Sequence, residues 1–477
     1  MDLRKIFSYI PEVVKPEEKK VDFKVKFRWT LTVLVFFFIL TNVSLFGLTS
    51  NSLERFQYLA IVLGTDFGSI ISLGVGPLVM ASIILQLLTG SGILAIDLTT
   101  TEGKKFFQGL QKILVIFFIF FTSFIYVFMQ GLQAAPGFTY LVITQLVLGG
   151  FAIFYMSEVL DKWGFGSGVS LFIGAGISWR LFTSAFQFTN QQGRNCLVDF
   201  AATPCSGKIL VLIQSIVNRY SIEFVSAFAA IASTVLIFLL VVWAQSLKVE
   251  IPLSFGKVRG YAIKWPLAFF YASVIPVILT AALIANFHLF GSLIENVAAP
   301  CISGGECVGT AKFASYFGFL GHFVQGQPVS GLAFWLGSTN LLELVIRGGL
   351  LPIYLLQGLT HTIFFMVFSV IFAVFWVKTS GMDAKAQAHK IAASGLQIAG
   401  FRQDERVLES ILERYILPLT VMGGMAIGFL ASVSNLLGAL VSGTAILLVV
   451  MIMFQFYQNI AQQHQADMFP AMKKMLG

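Results

Sequence analysis

GPLVMASIILQLL, residues 76–88, and IPVILTAALIANFHL, residues 275–289, decide how this chain is read. Each run has a proline near its start, a small residue a turn or more later, aliphatic neighbours elsewhere and no formal charge. Outward from them, apolar stretches of about 20 residues recur, each long enough as a helix to cross about 30 Å of hydrocarbon. They fall at 28–49, 70–90, 107–130, 138–160, 168–188, 222–245, 266–290, 350–377, 415–437 and 441–461. The quoted runs are the second and the seventh of these spans, so they hold corresponding places in two sets of five. Five is odd, and the second set therefore enters the membrane upside down relative to the first, as in inverted-repeat transport proteins. The expected fold is all-α and integral to the membrane, with ten transmembrane helices in two inverted five-helix halves and a pathway at their junction.

Composition excludes a water-soluble fold. Of 477 residues, 57% are hydrophobic and 11% charged, and mean hydropathy is +0.84, whereas soluble domains are roughly half apolar and a quarter charged. The basic first 28 residues lead into an apolar run as a signal peptide would. That run passes 20 residues, has no clear small-x-small cleavage site and precedes many further spans, so it reads as a retained first helix. Net charge is +8, but position matters more than the sum. With the N-terminus inside, 24 of the 31 Lys and Arg residues fall on inner segments, which is the bias that holds basic loops in the cytoplasm.

The expected division is a cytoplasmic segment 1–27, helices one to five over 28–188, an external loop 189–221, helices six to ten over 222–461 and a cytoplasmic tail 462–477. The second half carries cytoplasmic loops 246–265 and 378–414 and an external loop 291–349. Within that external loop, GLAFWLGSTNLLELVIRGG at 331–349 is apolar but short and interrupted by Glu343 and Arg347. It is expected to be re-entrant or interfacial, because a span there would turn the basic 378–414 loop outward.

Segment 52–65, SLERFQYLAIVLGT, reads as a helix too short to span, lying either on the outer interface or enclosed by other helices. Cys196, Cys205, Cys301 and Cys307 all fall in the two largest outer loops. Such segregation points to disulfides in an oxidising exterior, with local pairs 196 to 205 and 301 to 307 expected among the three connectivities. Charges on the two inner loops either fix topology or dock a large, phosphate-rich cytoplasmic partner; Lys257, Arg259 and Arg402 are the ones to test.

Signals for chemistry are absent. No Walker-type glycine loop is present, so nucleotide hydrolysis is not expected. GFGSGVS at 164–170 resembles a serine nucleophile turn superficially, but no histidine is spaced to serve it, and its glycines read as sites of close helix approach. Coupled transporters place ionisable groups deep in spans; here His361 is the nearest candidate, read as a helix-end histidine near the outer interface. The neutral polar span residues, among them Gln111 and Asn286, are expected to bond between helices. The chain is therefore not read as an enzyme, and no cofactor or metal is expected.

Several runs together resemble one family: LGVGPLVMASIILQLLTGSGI from Leu73, FFQGLQK from Phe106, DKWGFGSGVSLFI from Asp161, VEIPLSFGKVRG from Val249, IPVILTAALIAN from Ile275 and RYILPLTVMGGMAIGFLA from Arg414. They resemble the SecY family, the channel subunits of Sec translocons, in order and spacing over nearly the whole chain. The PEV start, the VEIP loop and GFR at 400–402 lean toward the archaeal and eukaryotic branch. The resemblance implies an hourglass pore narrowed by an aliphatic ring, carried by motif onto Val75, Val79, Val169, Ile173, Ile278 and Leu448. An apolar constriction of that kind blocks ions by dewetting yet yields around a passing chain.

It further implies that 52–65 is a plug and that spans two and seven form a lateral gate for hydrophobic segments, with polar control at Gln111 and Asn286. Met80 stands where many relatives have threonine, which leaves the polar cluster at the gate in doubt. The loops 246–265 and 378–414 become docking prongs for a ribosome or targeting factor. Signal sequences and nascent polypeptides become the substrates, and small SecE-type and beta-type membrane subunits the partners. The expected location is the plasma membrane, with the endoplasmic reticulum as alternative. Two rivals stand beside this reading, a secondary transporter for a small solute and an insertase or scaffold without a pore.

Overall fold

The computed structural model describes residues 11–17, 21–51, 67–90, 93–94, 96, 100–129, 131–189, 195–196, 205–255, 262–272, 275–302, 318–324, 327–393, 396–398 and 405–468. The first half comprises helices α1 (Phe23–Asn42), α2 (Gly76–Gly90), α3 (Thr101–Phe128), α4 (Thr139–Trp163) and α5 (Gly168–Phe186), with a small hairpin-like pair β1 (Leu48–Asn51) and β2 (Leu132–Ala134). After it come α6 (Lys208–Asn218), α7 (Ser221–Ser246), β3 (Lys248–Phe255), β4 (Ala262–Ala268) and α8 (Ile275–Ile302). Then follow β5 (His322–Val324), β6 (Gln327–Ser330), α9 (Leu332–Leu336), α10 (Leu341–Ile346) and α11 (Pro352–Thr379). The chain continues through α12 (Ala384–Ala393), β7 (Leu396–Ile398), α13 (Glu405–Leu436) and α14 (Gly443–Met468).

Among the described residues, eight helices are by themselves long and apolar enough to cross a membrane: α3, α4, α5, α7, α8, α11, α13 and α14. α1 and α2 supply the other two of the ten spans. α2 is only 15 residues long, but the buried turns at residues 69–75 lead into it, and backbone at membrane depth is tolerated where protein encloses it. α9 and α10, of five and six residues, are far too short to span, so the parity of ten stands.

Boundaries differ from expectation where polar residues join a helix. α1 starts at Phe23 rather than 28 and ends at Asn42. α3 begins at Thr101, because the Thr100 hydroxyl caps it by accepting from the Gly103 N–H at 3.1 Å. The stretch 189–221, expected to be an external loop, contains α6, and α8 extends to Ile302 inside what was expected to be loop.

Packing separates lipid-facing from central helices. In the most apolar stretch of α8, 72% of residues are buried, against 33% in α7. α8 is thus enclosed by α2, α11, α13 and α14, while α7 turns Leu236, Leu239 and Trp243 outward. One continuous apolar cluster runs through both halves. Close approach inside it needs glycine: a Cβ on Gly149 of α4 would sit 1.9 Å from the Ile70 carbonyl oxygen, and one on Gly168 would sit 2.7 Å from the Ser157 Cα.

The charged loops 246–265 and 378–414 form one unit, the second partly helical as expected through α12. β3 pairs antiparallel with β4 from Lys248↔Ala268 to Ser254↔Ala262, and on its other edge with β7 through Leu253↔Ile398 and Phe255↔Leu396. A second apolar cluster lies under this sheet, joining Ile251 and Leu267 to Val377, Ala388, Ile391 and Leu412.

Candidate functional site

The candidate ring residues are placed by four helices. Before α2, the Ser72 hydroxyl accepts from the Gly68 N–H at 2.8 Å, and Gly74 takes φ +54°, a conformation favoured by glycine. That turn delivers Val75 and Val79 one helical turn apart, joined by a Val79 N–H to Val75 carbonyl bond of 3.0 Å. Val169 and Ile173 are likewise four residues apart at the start of α5, whose Gly168 N–H donates to Asp161 Oδ1 at 2.8 Å. Ile278 lies in the first turn of α8 and Leu448 in α14. Five of the six are buried, and Val169 packs half-buried against them; all lie in or on the one cluster between the halves. Among the described residues, Glu158 is the one buried carboxylate, and no lysine or arginine is buried.

Gln111, Asn286 and Met80, the residues assigned to the gate, share no hydrogen bond with one another. Gln111 Nε2 donates to Ser82 Oγ across α3 and α2 at 2.9 Å, within the first half. Asn286 is buried, yet its Nδ2 donates to the Ala282 carbonyl of its own helix at 2.7 Å. Met80 packs half-buried on the apolar cluster and offers only a thioether. The α2–α8 contact is thus made by side-chain packing, with no bond among these three residues. Ser82 was the missing partner, and its 29-residue separation from Gln111 gave no signal in the sequence.

Two further constellations escaped the sequence reading. At the basic face, Lys112 of α3 and Lys162 of α4 hold both Glu12 and Glu158, with Nζ to Oε1 distances of 2.6–3.3 Å. Lys162 Nζ also donates to the Val13 carbonyl, and Trp163 Nε1 to the Val14 carbonyl. These bonds clamp the start of the chain, and the hydrogen bond from Lys162 leads the causes that hold the Glu12 carboxyl below its ordinary range. On the opposite face, α9 is stapled to α8 and α11. His288 meets the Ala333 carbonyl, Gln357 donates to that of Phe334, Thr360 to that of Trp335, and His361 meets that of Leu336 at 2.7 Å. His361, expected near the interface at a helix end, is instead buried ten residues into α11. It satisfies a carbonyl that a five-residue helix leaves without an intrahelical partner.

Cys196 and Cys205 are joined by a disulfide with a Cα separation of 5.4 Å. Cys301 ends near the C-terminus of α8, while Cys307 lies outside the described residues, as do Lys257, Arg259 and Arg402. β3, which precedes Lys257 and Arg259, and β7, which precedes Arg402, are neighbours in one sheet. Segment 52–65 also lies outside the described residues. Its two flanks are held together, since Asn51 Nδ2 donates to the Phe67 carbonyl at 2.8 Å.

Known proteins share this arrangement. The SecY family profile matches residues 69–457. The protein translocase subunit SecY of Methanothermobacter thermautotrophicus is 37% identical, over 99% of this chain and 98% of its own. A solved SecY protein, whose plug domain stabilises the closed state of the translocation channel and maintains a membrane seal, superposes with a TM-score of 0.79 at 33% identity, covering 99% of both chains. Sec61 in a canine ribosome-channel complex from the endoplasmic reticulum superposes with a TM-score of 0.76 at 32% identity, again over 99% of both. Ten spans in two halves, the aliphatic cluster between them and full-length likeness lead to one conclusion: this chain belongs to the SecY family.

Proposed function

We propose that the chain is the central, pore-forming subunit of a Sec translocon, a passive channel that passes unfolded secretory polypeptides across the membrane and releases hydrophobic segments sideways into lipid. The observation that supports this reading is that Val75, Val79, Val169, Ile173, Ile278 and Leu448, drawn from both halves, all belong to or pack on one continuous apolar cluster. An apolar seal of this kind excludes ions without binding any particular sequence. A coupled transporter would need charged ligands deep in its spans, and among the described residues the one buried carboxylate is Glu158, already paired with Lys112 and Lys162 near the end of α4.

Residues 52–65 act as the plug, tethered at both flanks. α2 and α8 form the lateral gate, and a hydrophobic signal opens it by binding the open state better than the closed one. The chain performs no covalent chemistry; elongation by a bound ribosome or another cytoplasmic motor supplies the drive. Lys257, Arg259 and Arg402, at the tips of loops carried by one sheet, form the docking prongs. Small SecE-type and beta-type subunits complete the complex. The membrane is the plasma membrane, or alternatively the endoplasmic reticulum, with both termini cytoplasmic.

Photocrosslinking from a probe at Ile278 to a stalled, ribosome-bound secretory chain tests the reading. A length-dependent adduct is expected. No adduct, with ribosomes bound and partner subunits present, would return the protein to the small-solute transporters.

A further inference from the structure

The stretch 189–221 connects α5, the last span of the first half, to α7, the first span of the second, and its one described helix, α6, is inside out for an aqueous loop. A helix on a water-washed surface turns its apolar stripe to the core and its polar side to solvent. In α6 the buried side chains are polar, with Gln214 6% and Ser215 3% exposed, while Ile216 is 59% and Val217 62% exposed. Ile213, also exposed, stands three residues before the one and four before the other, so the three make a single outward stripe. No charged residue lies between Lys208, which opens the helix, and Arg219, which follows it.

The polar side is engaged within the protein. Cys205, joined to Cys196 by the disulfide, donates its backbone N–H to Gln214 Oε1 at 3.2 Å. The Ser215 hydroxyl donates to the Leu212 carbonyl at 2.9 Å, and the Ser215 carbonyl accepts from the Tyr220 N–H at 3.0 Å. Just before α6, the Gly207 N–H donates to the Gln187 carbonyl at 3.1 Å. Just after it, Arg219 takes φ +57° and the chain enters α7 at Ser221. α6 packs on α5 and α7, both of them spans, whose adjoining ends also expose apolar side chains: Phe182 and Phe186 on α5, Ile222 and Val225 on α7. Exposed apolar surface of this extent marks contact with a protein or a membrane.

Between those two occupants the residue types decide. Helices that pack on one another inside a membrane do so through small residues and side chains that hydrogen-bond, and α6 turns those, Gln214 and Ser215, inward. What it turns outward is β-branched and aliphatic, with no donor or acceptor to fix a partner's register. Its two cations stand at its ends, where long side chains reach out of hydrocarbon. The disulfide at its entry belongs to an oxidising exterior. We propose that α6 is seated in the outer leaflet of the membrane, with Ile213, Ile216 and Val217 among the acyl chains, so that the joint between the two halves is anchored in lipid.

The test is electron paramagnetic resonance of the full-length chain, with the subunits that accompany it, in phosphatidylcholine vesicles. A spin label is attached to a genetically encoded ketone residue in place of Ile213 or Val217, in separate samples, which leaves the native cysteines untouched. Collision rates are read with oxygen, which concentrates in hydrocarbon, and with a nickel chelate confined to water. Labels in place of Leu236, on the outward face of α7, and of His389, exposed on α12, give the lipid and water references. Both α6 labels are expected to favour oxygen as the Leu236 label does, at a depth of about 5–10 Å below the headgroups. Chelate collisions as frequent as those at His389 overturn the proposal and return α6 to an aqueous loop. Weak collisions with both reagents overturn it by placing a protein partner on the stripe. Should the label at Val217 disturb the helix, the one at Ile213, a turn away, decides alone. Neither a ribosome nor a translocating chain is present, so failure here is separable from failure of the pore reading.

Discussion

Asn286 and Gln111 illustrate how a buried amide chooses a partner. Both were expected to bond between helices, yet Asn286 serves the Ala282 carbonyl one turn back and only Gln111 reaches another helix, at Ser82. A double-mutant cycle separates the two cases. Gln111→Leu and Ser82→Ala should couple by about 0.6 kcal/mol, the usual size for a bond between membrane helices, whereas Gln111→Leu and Asn286→Leu should be additive. Unfolding in denaturant measures both; coupling between Gln111 and Asn286 would show that they meet in solution. His361 makes a sharper prediction. His361→Ala leaves the Leu336 carbonyl without its donor, at a cost of about 1–3 kcal/mol for a buried polar group. Hydrogen exchange at residues 332–336 should rise in that variant and stay unchanged in His389→Ala, whose ring is exposed.

At the scale of elements, the clamp on residues 12–14 ties the chain start to α3 and α4. Glu158 is buried with two ammonium partners. Lys112→Met/Lys162→Met strands its charge and should cost about 3–5 kcal/mol, with Glu158→Gln restoring most of the loss; thermal unfolding of the purified variants is the readout. Acid tests the same clamp. The Lys162 hydrogen bond leads in holding the Glu12 pKa below its ordinary value of 4.5. A depressed folded pKa gives stability that is present above the unfolded value and lost as pH falls through the folded one. Protection of residues 11–17 from protease should therefore persist from neutral pH to 4.5 and fail below it. Failure already at pH 6 would mean that Glu12 is not held by Lys162.

For the whole molecule, the apolar cluster between the halves and the tethered segment 52–65 act in series as the proposed seal. Deleting 52–65 removes one barrier and leaves the aliphatic ring, so planar bilayers should show large intermittent conductance where the parent is tight. Bilayers as ion-tight as before would remove the plug role from that segment. Because the Asn51 to Phe67 bond holds the flanks together, the deletion should be joinable without disturbing α1 or α2, and thermal unfolding should change little.

The sequence by itself determined the spans, their number and the inverted halves, because partitioning into lipid sums over about 20 consecutive residues and needs no distant partner. Tertiary structure alone decided who pairs with whom. Glu12 meets Lys162 across 150 positions, β3 pairs with β7 from a separate loop, and four carbonyls of α9 find donors on two other helices. Hydrogen bonds and ion pairs depend on distances of about 3 Å between side chains, and neither composition nor periodicity carries that information. The same reason explains why the outward stripe of α6 went unread: only packing on α5 and α7 shows that this helix turns Gln214 and Ser215 inward and Ile213, Ile216 and Val217 outward.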